Sequence, residues 1–189
     1  TNTDANGNGD PTDDNAPTPV NPSYTPSIGI AKTLQSGLLV NGNGSLTGTF
    51  RLVVRNLGNE ELTGVSVTDA LTGAAPRFGT YVAGGAGATL AAGQYTVQVA
   101  PAFVGACTGG TSNAGYDGSG TPALAGITQL AIGASCTLEF SVRFVPQPGA
   151  AYNNQAVAAA TGAFSGSATP DNSDDGTNPD ADNDGNGNE

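Results

Sequence analysis

"FRLVVRNLGNEELTGVSVTDAL", residues 50–71, alternates, turns, and alternates again. Phe50, Leu52 and Val54 point one way while Arg51 and Arg55 point the other, the period-two pattern of a strand wet on one face. Asn56 to Asn59 supply the turn residues, and Leu62, Val65 and Val67 then mark a second strand. "CTLEFSVRFV" (136–145) has the same pattern, with Leu138, Phe140, Val142 and Phe144 expected inward and Glu139, Ser141 and Arg143 outward. Further strands are expected in "SIGIAKTL", "FGTYV", "YTVQVAPAFV", "ITQLAI" and "YNNQAVAAAT". Seven to nine short strands separated by Gly, Pro and Asn turns predict an all-β fold, an immunoglobulin-like antiparallel β-sandwich flanked by extended acidic linkers.

Composition agrees with one such domain. The chain has 189 residues, 37% of them hydrophobic, with 29 Gly, no Met and only five Lys plus Arg, so strands and tight turns are favoured over helices. The net charge of −11 is lopsided. Four acids in residues 1–15 and seven in residues 170–189 account for all of it, because five acids balance five bases in between. We therefore divide the chain into a linker at 1–26, acidic and then Pro-rich, a sandwich at 27–169 and an acidic linker at 170–189 leading into a next repeat. No basic patch is present to release counterions from phosphates, which argues against nucleic acid. No run of about 18 apolar residues predicts a membrane span. Without a Met at its start, the chain reads as a processed product or a slice of something longer.

"GIAKTL", "FRLVVRNLGNEELTGVSVTDAL", "GASCTLEFSVRF" and "YNNQAVAAAT" together resemble the conserved repeat domain of bacterial surface proteins, a domain of unknown function usually found in tandem. The resemblance covers roughly residues 27–169 and is most specific from "VVRNLGN" to "VTDAL". It implies an exported immunoglobulin-like structural or adhesive module without enzymatic activity. Catalytic groups are also missing from the residues themselves: there is no His, no nucleophile elbow and no phosphate-cradling loop with Lys. "GGAGAT" (84–89) reads as a hairpin loop.

The two ends repeat each other. "TNTDANGNGDPTD" (1–13) lies on "TNPDADNDGNGNE" (177–189) without a gap, so the chain reads as one period of 176 residues and the start of the next. Asp180, Asp182 and Asp184 ahead of Gly185 occupy positions 1, 3, 5 and 6 of a calcium loop, with Asn186 beside them. Oxygens at every second residue can converge on one ion while the glycine permits the turn. Asp4, Asn6, Asn8 and Gly9, with Asp10 and Asp13 following, form a second copy. Asp171, Ser173, Asp175 and Gly176 form a third. No amphipathic helix flanks these loops, so calcium-stiffened linkers are expected rather than a paired EF-hand.

Cys107 and Cys136 lie 29 residues apart in no metal-ligand spacing, which predicts a disulfide in an extracellular protein. It would close a Gly-rich segment expected to lie outside the strand core, stabilising by about 3.5 kcal/mol. Lys32, the only lysine, falls in the presumed first strand, Asn154 in a presumed last strand, and Asp69 closes "VTD". The trio resembles the lysine, asparagine and acid of intramolecular isopeptide crosslinks in Gram-positive pilus and collagen-adhesin domains. The expected function is an extracellular repeat or filament subunit partnered by neighbouring copies of itself. The alternative is an adhesin module that binds a glycan or another cell surface.

Overall fold

The structure is a computed structural model that describes residues 7–10, 19–73 and 77–187. Among them run twelve strands: β1 (Ile28–Leu34), β2 (Leu39–Val40), β3 (Leu46–Asn56), β4 (Leu62–Asp69), β5 (Thr80–Tyr81), β6 (Gln94–Phe103), β7 (Gly110–Ser112), β8 (Ala123–Leu130), β9 (Ser135–Val145), β10 (Ala156–Gly162), β11 (Ala168–Asn172) and β12 (Asp174–Asp175). They form two packed sheets. One has the order β12-β1-β3-β9-β6-β5, with β2 beside β3, and the other β11-β10-β4-β8-β7. Removing the hairpin β7–β8 leaves β1-β3-β9-β6 against β11-β10-β4, the ABED and GFC arrangement of an immunoglobulin sandwich. That hairpin is inserted between the fourth and fifth strands of this scheme and widens the second sheet beside β4.

The alternation in the sequence builds the core. Leu52 and Val54 of β3 face inward opposite Leu138 and Cys136 of β9, and Phe50 pairs with Phe140. The other sheet contributes Val65, Val67, Ile127 and the small residues Ala156, Ala158 and Ala160. On the outer face Arg51 and Glu139 are cross-strand partners, joined by Arg51 Nε donating to Glu139 Oε1 at 2.8 Å.

The outer face of β9 departs from the expected wet surface. Ser141 and Arg143 are buried, because β9 is a central strand and the segment after Gly84 folds across it. The Arg143 guanidinium donates to the carbonyls of Gly85, Ala86 and Ala88 at 3.3, 3.3 and 2.6 Å. "GGAGAT" is therefore not a hairpin loop but a cover, with a 3-10 turn at Gly85–Gly87 held by one arginine.

The turn "NLGNEE" organises one end of the sandwich. Asn56 Nδ2 donates to the carbonyls of Glu60 and Leu130 at 2.8 and 2.9 Å, while its Oδ1 accepts from the Gly58 amide at 3.0 Å. Position 58 has no room for a side chain, since a Cβ there would lie 2.5 Å from the Thr25 carbonyl. Asn59 binds the incoming chain, donating to the Ser23 carbonyl at 3.0 Å and accepting from the Thr25 amide at 2.6 Å. Glu60 is fully buried, and its Oε2 accepts from the amides of Phe164 and Ser165 at 2.8 and 3.0 Å, in the turn between β10 and β11. Burial opposes its charge, but hydrogen bonds from Ser165 and Phe164 outweigh this and hold the carboxyl below its usual range. Tyr24 stacks on Phe164 with ring centroids 5.0 Å apart. The last residues of the Pro-rich lead-in are thus packed onto the sandwich.

Two expectations need correction. Cys107 and Cys136 are joined by a disulfide, as the spacing predicts, but the segment it closes is no excursion. That segment contains β7 and β8, and it buries Tyr116, Leu124, Ile127 and Leu130 in the core. Nor does the sandwich stop at residue 169, because β11 runs across that boundary and β12 adds to β1 in parallel. Because the enclosed segment is core, replacing both cysteines by Ala is expected to lower equilibrium stability by about 3.5 kcal/mol, and not merely speed unfolding. Urea unfolding monitored by circular dichroism measures this, and an unchanged midpoint would count against it.

Candidate functional site

Three inward alternations end in a polar residue at the same place. Ile28 and Ile30 lead to Lys32 on β1, Val65 and Val67 lead to Asp69 at the end of β4, and Ala156, Ala158 and Ala160 follow Asn154 at the entry to β10. A period of two puts each polar residue on the face of its apolar neighbours, so all three are carried between the sheets. The side chains of Lys32 and Asp69 are 4% and 0% exposed, and Lys32 Nζ donates to Asp69 Oδ2. Asn154 Nδ2 donates to the same oxygen at 3.2 Å. Asn154 is therefore not on the last strand, as expected from the sequence, but ahead of β10, with β11 and β12 still to follow.

The surroundings are apolar on the other sides. Lys32 Nζ lies 4.6 Å from the ring centroid of Phe50 and 5.5 Å from that of Phe140. Burial pushes the Lys32 ammonium below its ordinary range despite the attraction of Asp69, and the charge of Arg77 acts in the same direction. Burial likewise pushes the Asp69 carboxyl up, against the pull of Lys32 and the hydrogen bond from Asn154. Both shifts favour a neutral amine beside a neutral acid. Asp69 Oδ1 and Asn154 Oδ1 are buried without hydrogen-bond partners. A cleft of about 300 Å³, lined by Lys32, Phe50, Phe144, Tyr152 and Asn154 among others, opens beside the cluster.

The expected calcium-loop residues divide into groups. Asp4, Asn6 and Asp13 lie outside the described residues. Asn8 Oδ1 accepts from the Asp10 amide at 2.8 Å, and Gly9 between them has φ 86°. Their counterparts in the aligned end do the same: Asp184 Oδ1 accepts from the Asn186 amide at 2.9 Å around Gly185 at φ 82°. The two copies share a local turn, built on Asn-Gly-Asp in one and Asp-Gly-Asn in the other.

Asp171 lies in β11, Asp175 in β12 and Ser173 between the two strands, so they do not form a loop around one point. Asp171 Oδ2 accepts from the Ile30 amide at 2.7 Å, and Ser173 Oγ accepts from the Ala156 amide at 2.9 Å. Asp175 lies opposite Lys32 in the β1–β12 pairing. Polar side chains here satisfy buried backbone donors of the sandwich, and this fastens the acidic end to it. The fastening continues further along. A Cβ on Gly29 would lie 2.5 Å from the Pro179 carbonyl, and one on Gly187 would lie 2.5 Å from both Gly29 Cα and the Ile28 carbonyl. Glycine at 29 lets the tail lie flat on β1.

Among the described residues, Asp180, Asp182 and Asp184 do come together, each offering a carboxylate oxygen within 4.8 Å of the others. Asp180 is buried and accepts from the Gly185 amide at 3.2 Å, while Asp182 and Asp184 are exposed. Asn183, between Asp182 and Asp184, takes a left-handed φ of 61°, a conformation that asparagine tolerates better than most residues.

The chain matches no known family model, and no curated protein matches it.

If Asp171 fastens the tail, Asp171→Ala leaves the buried Ile30 amide without its acceptor and costs about 1–3 kcal/mol. Hydrogen exchange should then rise at Ile30 and over residues 174–187. Unchanged exchange in the tail would contradict this role.

Proposed function

We propose that the chain is an extracellular structural repeat of a bacterial surface assembly, whose sandwich is joined to neighbouring copies by acidic segments that calcium stiffens. The observation that carries this reading is the shared turn at Asn8–Asp10 and Asp184–Asn186, in ends that align without a gap and exchange Asn for Asp. A fixed repeat on either side of one neutral sandwich is what an array of domains requires.

Docking of the tail narrows where such a joint bends. Gly187 rests on Ile28 and Gly29, so the acidic loop up to that residue belongs to the sandwich rather than to the spacer between copies. The acidic loop is then the point where the sandwich releases the chain.

The donor set fits a hard cation. Asp180, Asp182 and Asp184 offer only carboxylate oxygen, with no sulfur or imidazole nearby to favour a softer metal. These three residues would hold the ion, and its charge would offset the repulsion that otherwise loosens the loop. Extracellular calcium modules bind at about 0.1–1 mM.

Two copies in tandem should become more rigid when calcium is added, as read by small-angle scattering. Calcium at about ten times a 1 mM dissociation constant should stabilise the domain by about 1.4 kcal/mol. Asp182→Ala with Asp184→Ala, both exposed positions, should abolish both effects without unfolding the sandwich. Scattering and melting that ignore calcium and chelator alike would defeat the reading.

A further inference from the structure

We propose that Lys32 and Asn154 are joined by an intramolecular amide bond, formed inside the folded domain with Asp69 as proton carrier. The inference rests on the buried cluster and holds whether or not calcium binds the tail. Nζ of Lys32 and Nδ2 of Asn154 both donate to the single oxygen Oδ2 of Asp69, which sets amine and carboxamide side by side. Phe50 and Phe140 present apolar rings to Nζ, and the side chains of Lys32 and Asp69 are almost wholly removed from solvent. In such a setting the ion pair relaxes to a neutral amine and a carboxylic acid by passing one proton from Nζ to Asp69, which leaves the nucleophile's lone pair free. The buried Lys32 amine and Asp69 carboxyl are shifted in the directions this transfer needs.

The chemistry then balances. The Nζ lone pair attacks Cγ of Asn154, and Asp69 gives its proton to Oδ1, which would otherwise carry the developing negative charge. Asp69 next takes a proton from the new C–N nitrogen and delivers it to Nδ2. The tetrahedral carbon collapses, the Cγ–Nδ2 bond breaks, ammonia leaves and the Oδ1 proton returns to Asp69. One amine and one primary amide become one secondary amide and one ammonia. No oxidant, metal or other reactant is consumed. The cleft lined by Lys32 and Asn154 gives ammonia a way out. The product also explains two buried atoms without partners, because a protonated Asp69 can donate to the new carbonyl and accept from the new N–H, which Asp69 Oδ1 and Asn154 Oδ1 do not achieve beforehand.

The bond would cross the sandwich, since β1 belongs to one sheet and β10 to the other. Tension entering before β1 and leaving after β10 would pass through it and bypass everything between residues 32 and 154. The Cys107–Cys136 disulfide lies inside that bypassed loop and cannot do the same.

The test is a reduced, denatured tryptic digest of the intact protein analysed by mass spectrometry. Intact mass alone does not suffice, because an Asn-Gly pair such as Asn41-Gly42 can also lose ammonia by cyclising on itself. The expected product is a branched peptide in which residues 1–51 are joined to residues 144–189, uncut after Lys32 and lighter by one ammonia than the two together. Asp69→Asn, which keeps the size of the side chain but cannot carry the proton, should yield separate peptides cut after Lys32. Its folding is checked by the dispersion of its amide spectrum, and Asn154→Ala provides a second variant that cannot react. Separate peptides from the unaltered protein would overturn the bond, and branched peptide persisting in Asp69→Asn would overturn the role of Asp69.

Discussion

Lys32 is the protein's only lysine, and the fold takes it out of water to meet Asp69. An unpaired buried ion costs several kcal/mol, and breaking a buried pair costs about 3–5 kcal/mol. That is a large part of the roughly 5–15 kcal/mol by which a whole domain is stable. The two sheets must therefore meet so that β1, the end of β4 and the entry to β10 converge. A slip of β1 by one residue would turn Lys32 outward together with Ile28 and Ile30, losing core and pair at once. Few contacts in the molecule constrain so much, and the same removal of water makes the amine reactive.

The remaining polar burial serves the ends of the chain. Asn56, Asn59 and Glu60 form one connected turn that receives the incoming lead-in and holds the β10–β11 turn. Asp171 and Ser173 fasten the outgoing chain, and Gly29 provides the flat place where Pro179 and Gly187 rest. Ser27, whose carbonyl accepts from the Leu57 and Gly58 amides, leads directly into β1, and the docked Gly187 lies against the first residues of that strand. A domain loaded through its two ends would thus deliver force to β1 first, one bond network away from Lys32.

Much of this was legible in the sequence because a period of two is a strong signal. Strands β3, β4 and β9 follow from alternation, and the same rule places Lys32, Asp69 and Asn154 on inner faces one step beyond Ile30 and Val67 and one before Ala156. Other features were hidden for physical reasons. Ser141 and Arg143 look solvent-facing because they are polar, and the carbonyls at Gly85, Ala86 and Ala88 that receive Arg143 are distant in sequence. Strands β11 and β12 are masked by composition, since "ATPDN" and "DD" carry the residues of a loop and gain strand structure only from β10 and β1. Asp171 and Ser173 fit a calcium-loop spacing and a strand alternation equally well, as both place oxygens at every second residue. Only the three-dimensional neighbours separate the two.

The most direct measurement follows from Lys32 being alone of its kind. Protein labelled with nitrogen-15 at the lysine side chain gives a single signal, free of overlap. The crosslinked protein should show an amide-type nitrogen bearing one proton, unchanged as pH is varied, and coupled through the bond to the Asn154 carbonyl when that residue carries carbon-13. A nitrogen bearing amine or ammonium protons that titrates with pH, in the folded protein, would contradict it.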